Sequence, residues 1–340
     1  MYPLDRGVWG PIARITHLRD ELGSRVQQLD VVEGDRATRR GRLLRYALSG
    51  RLRGLDGIYV ENSSTLPSET DLAFLALARA LGIEVLTYVR DAQYLFAEYY
   101  AATSLKRRLA RAAFLPLTRL LRAVSTQVAY PSRGLAVAVG DPAADPMLLP
   151  PGSPAPIEVL PASGARSLLF VGGMRHQVHG LGLLIGAVER VRAAAYDVEV
   201  ICVSRPGEEP PEPGPAWMRV ERGAADEIRA LLPQVVATIQ PRHCSPYNDL
   251  AVPVKVMEYL AYGRPLIVTD CTEQAAIVRG ADAGIVAADN PGALAEAITA
   301  VLTADDAQRQ RWSANAHAAA REHSWGERAE RILATLAARR

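Results

Sequence analysis

Lys255 and Glu258 stand three positions apart in the run Pro253-Val254-Lys255-Val256-Met257-Glu258-Tyr259, with Gly263-Arg264-Pro265 following. A proline ahead and a glycine then proline behind predict a helix of about ten residues, with Pro253 as a first-turn proline and Gly263 as the stop. The first-turn N–H groups and the positive end of the helix dipole form a site for an anion such as a diphosphate. Lys255 lies in that first turn and adds a full charge. Glu258 falls on nearly the same face, where a carboxylate can accept hydrogen bonds from both hydroxyls of a ribose. The same spacing also suits an amphipathic helix whose Lys and Glu simply face water.

Composition singles out the lysine. Of 39 basic residues, only Lys106 and Lys255 are lysine and the other 37 are arginine.

Other residues could carry chemistry. Asp91, in Tyr88-Val89-Arg90-Asp91-Ala92, follows a predicted strand, where an open α/β sheet exposes ligand contacts. It is a candidate acceptor contact or catalytic base, and equally a cap for the next helix. His17 and His176 stand alone, and a lone histidine is more often structural than catalytic. Cys202, Cys244 and Cys271 show neither C-x-x-C spacing nor a pairing pattern, so no metal centre is expected and a reducing compartment fits.

The elements that must hold these residues alternate in type. Short aliphatic runs at 57–60, 83–89 and 126–130 are separated by helical patterns, and Leu72–Leu81 followed by Gly82 reads as a capped helix. A first strand is expected ahead of Asp5, where only four residues precede it. Seven prolines in 140–166 mark a domain boundary. Strand-like runs then recur at 167–173, 198–203, 235–239 and 265–269. Alternation of this kind predicts two parallel-sheet α/β domains. They would span 1–150 and 151–322, with a C-terminal helix in 323–340 packing back on the first.

The net charge of +2 hides an asymmetry: residues 1–150 hold 20 Lys/Arg against 15 Asp/Glu, and the remainder 19 against 22. Lys106, Arg107, Arg108, Arg111, Arg119, Arg122 and Arg133 lie in a stretch without an acidic residue. Leu105–Val124 interleaves them with leucines, so this segment could lie on an anionic membrane surface, or form two short surface helices broken at Pro116. Arg36, Arg39, Arg40, Arg42, Arg45, Arg51 and Arg53 form a second basic run that favours the membrane-facing reading. Nucleic acid is not the expected partner, because no aromatic platform accompanies the basic runs. No G-x-G-x-x-G follows a strand, which disfavours a nicotinamide enzyme.

The segment Pro253 to Val268 resembles the nucleotide-binding segment of bacterial family-4 type glycosyltransferases (glycosyl transferases group 1), in which P-x-K-x-x-E-Y-x-x-x-G-x-P leads into a strand. Phe170-Val171-Gly172-Gly173, His179-Gly180, Pro131-Ser132-Arg133 and Pro150-Pro151-Gly152 support the resemblance. It implies the GT-B fold, two Rossmann-like doubly wound parallel-sheet domains facing a cleft, with the acceptor on the first and a nucleotide-sugar donor on the second. On this resemblance the donor side comprises Gly172, Gly173, Arg175, His179, Arg242, Asp249, Pro253, Val254, Lys255 and Glu258. The glycine-containing turn Gly7-Val8-Trp9-Gly10 resembles the turn that approaches the acceptor side, giving Gly7, Trp9 and Gly10.

Two positions depart from the family. Its first glutamate of E-x7-E would stand at 250, which is Leu250, and its two diphosphate-clasping cations correspond to Gly173 and His179, leaving Arg175 or Arg242 to substitute. The resemblance implies retaining transfer to a glycan or lipid-linked acceptor without metal or other cofactor. The expected location is the cytoplasm, with a peripheral position on the inner membrane face. The alternatives are a non-catalytic nucleotide- or glycan-binding relative and a nucleotide-sugar epimerase.

Overall fold

The computed structural model describes residues 9–62, 66–158, 164–174, 179–204, 207–210, 214–223 and 225–338. Two compact units emerge, Met1–Gly152 with Trp325–Arg340, and Ser153–Ser324. In chain order the first unit runs α1 (Trp9–Gly23), α2 (Arg36–Leu48), β1 (Gly57–Asn62), α3 (Glu69–Ala80), β2 (Glu84–Val89), α4 (Leu105–Ala123), β3 (Gln127–Tyr130), α5 (Arg133–Ala138) and β4 (Met147–Leu148). The second runs β5 (Ser167–Val171), α6 (Leu181–Ala193), β6 (Glu199–Ser204), β7 (Met218–Arg222), α7 (Ala225–Leu231) and β8 (Val235–Gln240). It continues through α8 (Val254–Tyr262), β9 (Leu266–Thr269), α9 (Thr272–Ala281), β10 (Gly284–Ala287), α10 (Pro291–Thr303) and α11 (Asp306–Glu322), after which α12 (Trp325–Ala337) belongs to the first unit.

Both sheets are parallel. The first follows sequence order, β1-β2-β3-β4, and the second has the order β10-β9-β8-β5-β6-β7. Strand order therefore reverses between β8 and β5, which is where doubly wound sheets open a ligand crevice beyond the strand C-termini. Burial shows why β5 sits centrally. Leu168 and Phe170 enter one apolar cluster, while Leu169 and Val171 enter another. A strand apolar on both faces must have helices on both.

Local chemistry sets the helix ends. Ser68 and Asp71 form a reciprocal capping box at α3, with Ser68 Oγ accepting from Asp71 N at 3.1 Å and Asp71 Oδ2 from Ser68 N at 2.9 Å. Gly82 follows that helix with φ +79°.

Several expectations are corrected. Trp9 and Gly10 lie in the first turn of α1, not in a glycine loop, because Pro11 suits a helix start as well as a turn. Gly7 and the strand expected before Asp5 lie outside the described residues. Pro116 does not break Leu105–Ala123, which is one helix of 19 residues. Pro253 precedes α8 as its N-cap with extended backbone, so the helix begins one residue later than the proline rule suggests.

Three of the seven arginines in the second basic run are held in ion pairs. Arg39 is buried and donates to Asp71 Oδ2 at 2.8 Å, Arg36 pairs with Glu69, and Arg51 pairs with Asp30 at 2.8 Å. Burying Arg39 demands that partner, since an uncompensated internal charge is costly.

Candidate functional site

The helix α8 is set against the switch point by one buried phenol. Tyr259 Oη accepts the backbone N–H of Val171, the last residue of β5, at 2.7 Å. Burial holds the Tyr259 hydroxyl well above its ordinary titration range, so it stays a neutral partner. Ser153 Oγ donates to Met257 O at 2.8 Å, and Ile157 N to Ala261 O at 2.8 Å, fixing the helix from its other side. Gly263 ends α8 at φ +60°, where a Cβ would lie 2.1 Å from His317 Nε2.

On this anchored helix Val256, Met257, Tyr259 and Leu260 are buried, while Lys255 and Glu258 remain half-buried. Lys255 Nζ lies 2.6 Å from Glu258 Oε2. The first turn contains no acidic residue and no side-chain cap. A lysine there opposes the helix dipole, so the N-terminus of α8 concentrates positive potential that an anion would relieve.

The loops after β5 and β8 meet at Gly180 and Pro241. Gly180 caps α6 at φ +76°, and a Cβ there would fall 1.4 Å from Pro241 O. Only glycine satisfies both the left-handed backbone and the approach. Gly172 N donates to Val203 O at 3.0 Å. A Cβ on Gly173 would lie 3.3 Å from Glu208 Oε2 and 3.6 Å from His179 Cδ2, so His179 is brought beside the β5 loop. Arg175 and His176 lie outside the described residues.

In the β8 loop, Arg242 Nη2 donates to Asn248 Oδ1 at 2.5 Å, and Asn248 Nδ2 donates to His243 O at 2.6 Å. Asn248 is buried and organises this loop, a role that only a polar turn, Ser245-Pro246-Tyr247-Asn248, hinted at. Asp249 Oδ1 accepts from Thr272 N at 2.8 Å and Thr272 Oγ1 at 3.1 Å, so it caps the first turn of α9. Leu250 is half-buried. The carboxylate nearest the position of the missing glutamate is thus engaged with a helix terminus.

In the first unit, Asp91 Oδ1 accepts from Gln93 N at 3.0 Å, an Asx-type cap on the short 3-10 turn Gln93–Leu95. His17 stacks on Trp325 at 5.4 Å between ring centroids. Among the described residues no helix is long and apolar enough to cross a membrane.

Residues 165–304 match the family described as Glycosyl transferases group 1. A phosphatidyl-myo-inositol mannosyltransferase of Mycobacterium leprae is 26% identical over 177 residues, covering 49% of this chain and 45% of its own length. The chain thus spans about half the length of that relative. Among solved structures, a glycosyltransferase from Rickettsia africae superposes with TM-score 0.66 at 12% identity, covering 99% and 97% of the two chains. Anabaena HepE in complex with UDP and glucose superposes with TM-score 0.66 at 13% identity, covering 98% of each. At such identities the likeness establishes the fold, which is that of the GT-B class.

Proposed function

We propose, from the match of residues 165–304 to the Glycosyl transferases group 1 family, that this chain transfers a sugar from a nucleotide-diphosphate-sugar to a glycan or lipid-linked acceptor. The pair formed by Lys255 in the first turn of α8 and Glu258 one turn on carries the reading. The α8 N-terminus and Lys255 take the diphosphate, and Glu258 takes the ribose hydroxyls. On this reading Gly172, Gly173, His179 and Arg242 complete the donor side, and Arg175 is a further candidate from the sequence.

Charge supplies the mechanism. As the glycosidic bond breaks, negative charge grows on the departing diphosphate, and fixed cations with a helix N-terminus stabilise it more in the transition state than in the ground state. This chemistry needs neither divalent metal nor other cofactor, and family company favours retention of anomeric configuration. Asp91, which caps a turn, is then a positioning group on the acceptor side.

The acceptor reading draws on α4. Leu105, Leu109 and Leu120 are 73%, 61% and 52% exposed, and they fall within an arc of about 60° at 100° per residue. Buried Phe114, Thr118 and Leu121 occupy the opposite face. Lys106, Arg108 and Arg119 flank the exposed leucines. Such a face suits an anionic membrane interface, placing the protein peripherally beside a lipid-linked acceptor.

Titrating the protein with UDP-, GDP- and dTDP-sugars tests the donor site. Binding of one nucleotide, weakened tenfold or more by Lys255→Ala and Glu258→Ala, is the expected result. No binding, or binding indifferent to both changes, removes the reading. Leu250 and the engagement of Asp249 favour one second reading, a non-catalytic nucleotide binder. It predicts nucleotide binding without transfer to any extracted lipid or glycan.

A further inference from the structure

We infer that Cys244 and Cys271 are a dithiol that closes reversibly to a disulfide, a covalent modification site at the ligand-facing end of the second unit. The two sulfurs lie 2.9 Å apart although the residues are 27 positions apart. Parallel pairing of β8 with β9, Gln240 beside Val268, brings the segments after both strands to the same end of the sheet. Cys244 N donates to Asp289 Oδ2 at 2.8 Å, which fixes the backbone of the first cysteine. Cys271 is the N-cap of α9 and is 1% exposed, which fixes the second. With both backbones held, the sulfurs need approach by less than an ångström to reach the bond length of about 2.05 Å.

A metal centre is the competing use of the same atoms, since Cys244, Asp249 and Cys271 offer ligand atoms within 4.8 Å of one another. Two thiolates on one tetrahedral zinc, at about 2.3 Å each, would stand about 3.8 Å apart. The observed spacing is nearly an ångström shorter. Asp249 Oδ1 is also already engaged by Thr272. Burial raises both thiols, and at Cys244 its neighbours Cys271 and Asp270 raise it further. Thiolate is therefore scarce, and the pair reacts under sustained oxidation instead of at the first encounter.

With a peroxide as oxidant, half-buried Cys244 attacks one peroxide oxygen, breaking the O–O bond to give a sulfenic acid and one water or alcohol. Cys271 then displaces the sulfenic oxygen as water, its proton leaving with it, and the S–S bond forms. In sum two thiols and one hydrogen peroxide give a disulfide and two waters, and an external dithiol reverses the change. The bond ties the loop 241–253, which leads into α8, to the N-terminus of α9.

The inference does not depend on the donor-site reading, because its test needs no nucleotide. Reduced full-length protein is treated with hydrogen peroxide, digested without reduction and mapped by mass spectrometry. The expected product joins the Cys244 and Cys271 peptides less two hydrogens, with Cys202 left as thiol, and dithiothreitol separates them. Amides in 244–252 should gain several-fold protection from hydrogen exchange on oxidation, a gain absent in Cys244→Ser. Recovery of either cysteine as thiol or sulfinic acid without the cross-link overturns the inference. So does equimolar zinc in the purified protein that shields both thiols from alkylation, or unchanged exchange after cross-linking.

Discussion

Val171 and Tyr259 are 88 positions apart, yet the backbone N–H of one donates to the phenol of the other at 2.7 Å. The bond joins the end of a central strand to the helix bearing Lys255 and Glu258. Tyr259→Phe keeps the ring and leaves a buried N–H without that acceptor, at a cost of about 1–3 kcal/mol. Urea unfolding should show the loss, and calorimetry should show weaker nucleotide binding than in the parent. A variant as stable as the parent would mean that another acceptor takes the N–H.

Gly180→Ala should be among the most damaging single-methyl additions in the second unit. The left-handed backbone alone costs about 1–2 kcal/mol, and the new Cβ would overlap Pro241 O. The loops after β5 and β8 must then separate. Gly182→Ala, where no atom lies within 4 Å of the added carbon, is the matched control and should be neutral or stabilising in thermal melts.

Acid should weaken the first unit through Asp71. Burial works to raise its carboxyl, but hydrogen bonds from Arg39 and Ser68 outweigh it and hold the carboxyl below its reference value of 3.8. The folded state therefore binds this proton less readily than the unfolded chain. Its stabilisation is full above the ordinary carboxylate range and disappears as pH falls through the lowered folded value. Asp71→Asn should cost about 3–5 kcal/mol near neutrality by leaving buried Arg39 without its counter-ion. It should also flatten the acid limb of the stability profile, as read by denaturant titrations from pH 6 to pH 3.

Leu109→Asp tests the exposed face of α4. Vesicle co-sedimentation with anionic lipid should fall about tenfold or more, because a leucine side chain contributes roughly 1.5–3 kcal/mol on burial. The folding midpoint should hardly move, as Leu109 is 61% exposed. Equal binding of parent and variant would remove the membrane reading of this helix.

Features set by local spacing were legible from residues alone. Lys255 and Glu258 share a face because three residues make most of a helical turn, and Pro253 and Gly263 bracket the helix. The α3 helix was visible from its apolar pattern and Gly82, and the apolar runs of β5, β6, β8 and β9 were visible as strands. Met218–Arg222 and Gly284–Ala287 escaped notice, the first because Arg219, Glu221 and Arg222 mask an edge strand, the second because four residues carry too little pattern. Asp249 could not be tied to Thr272, nor Cys244 to Cys271, because those pairings depend on the register between strands. Arg39 read as one more surface cation, since burial beside Asp71 requires two helices to pack.

Every residue of β5 and of β8 is buried, whereas the loops leaving their ends hold the polar groups. On the proposed donor reading, stability and recognition are written in separate stretches of chain. Substitutions in 172–180 or 241–253 can change what is bound while the central strands go on specifying the same sheet. A division of that kind accounts for architecture retained at 12–13% identity, and it directs attempts to alter specificity towards those two loops.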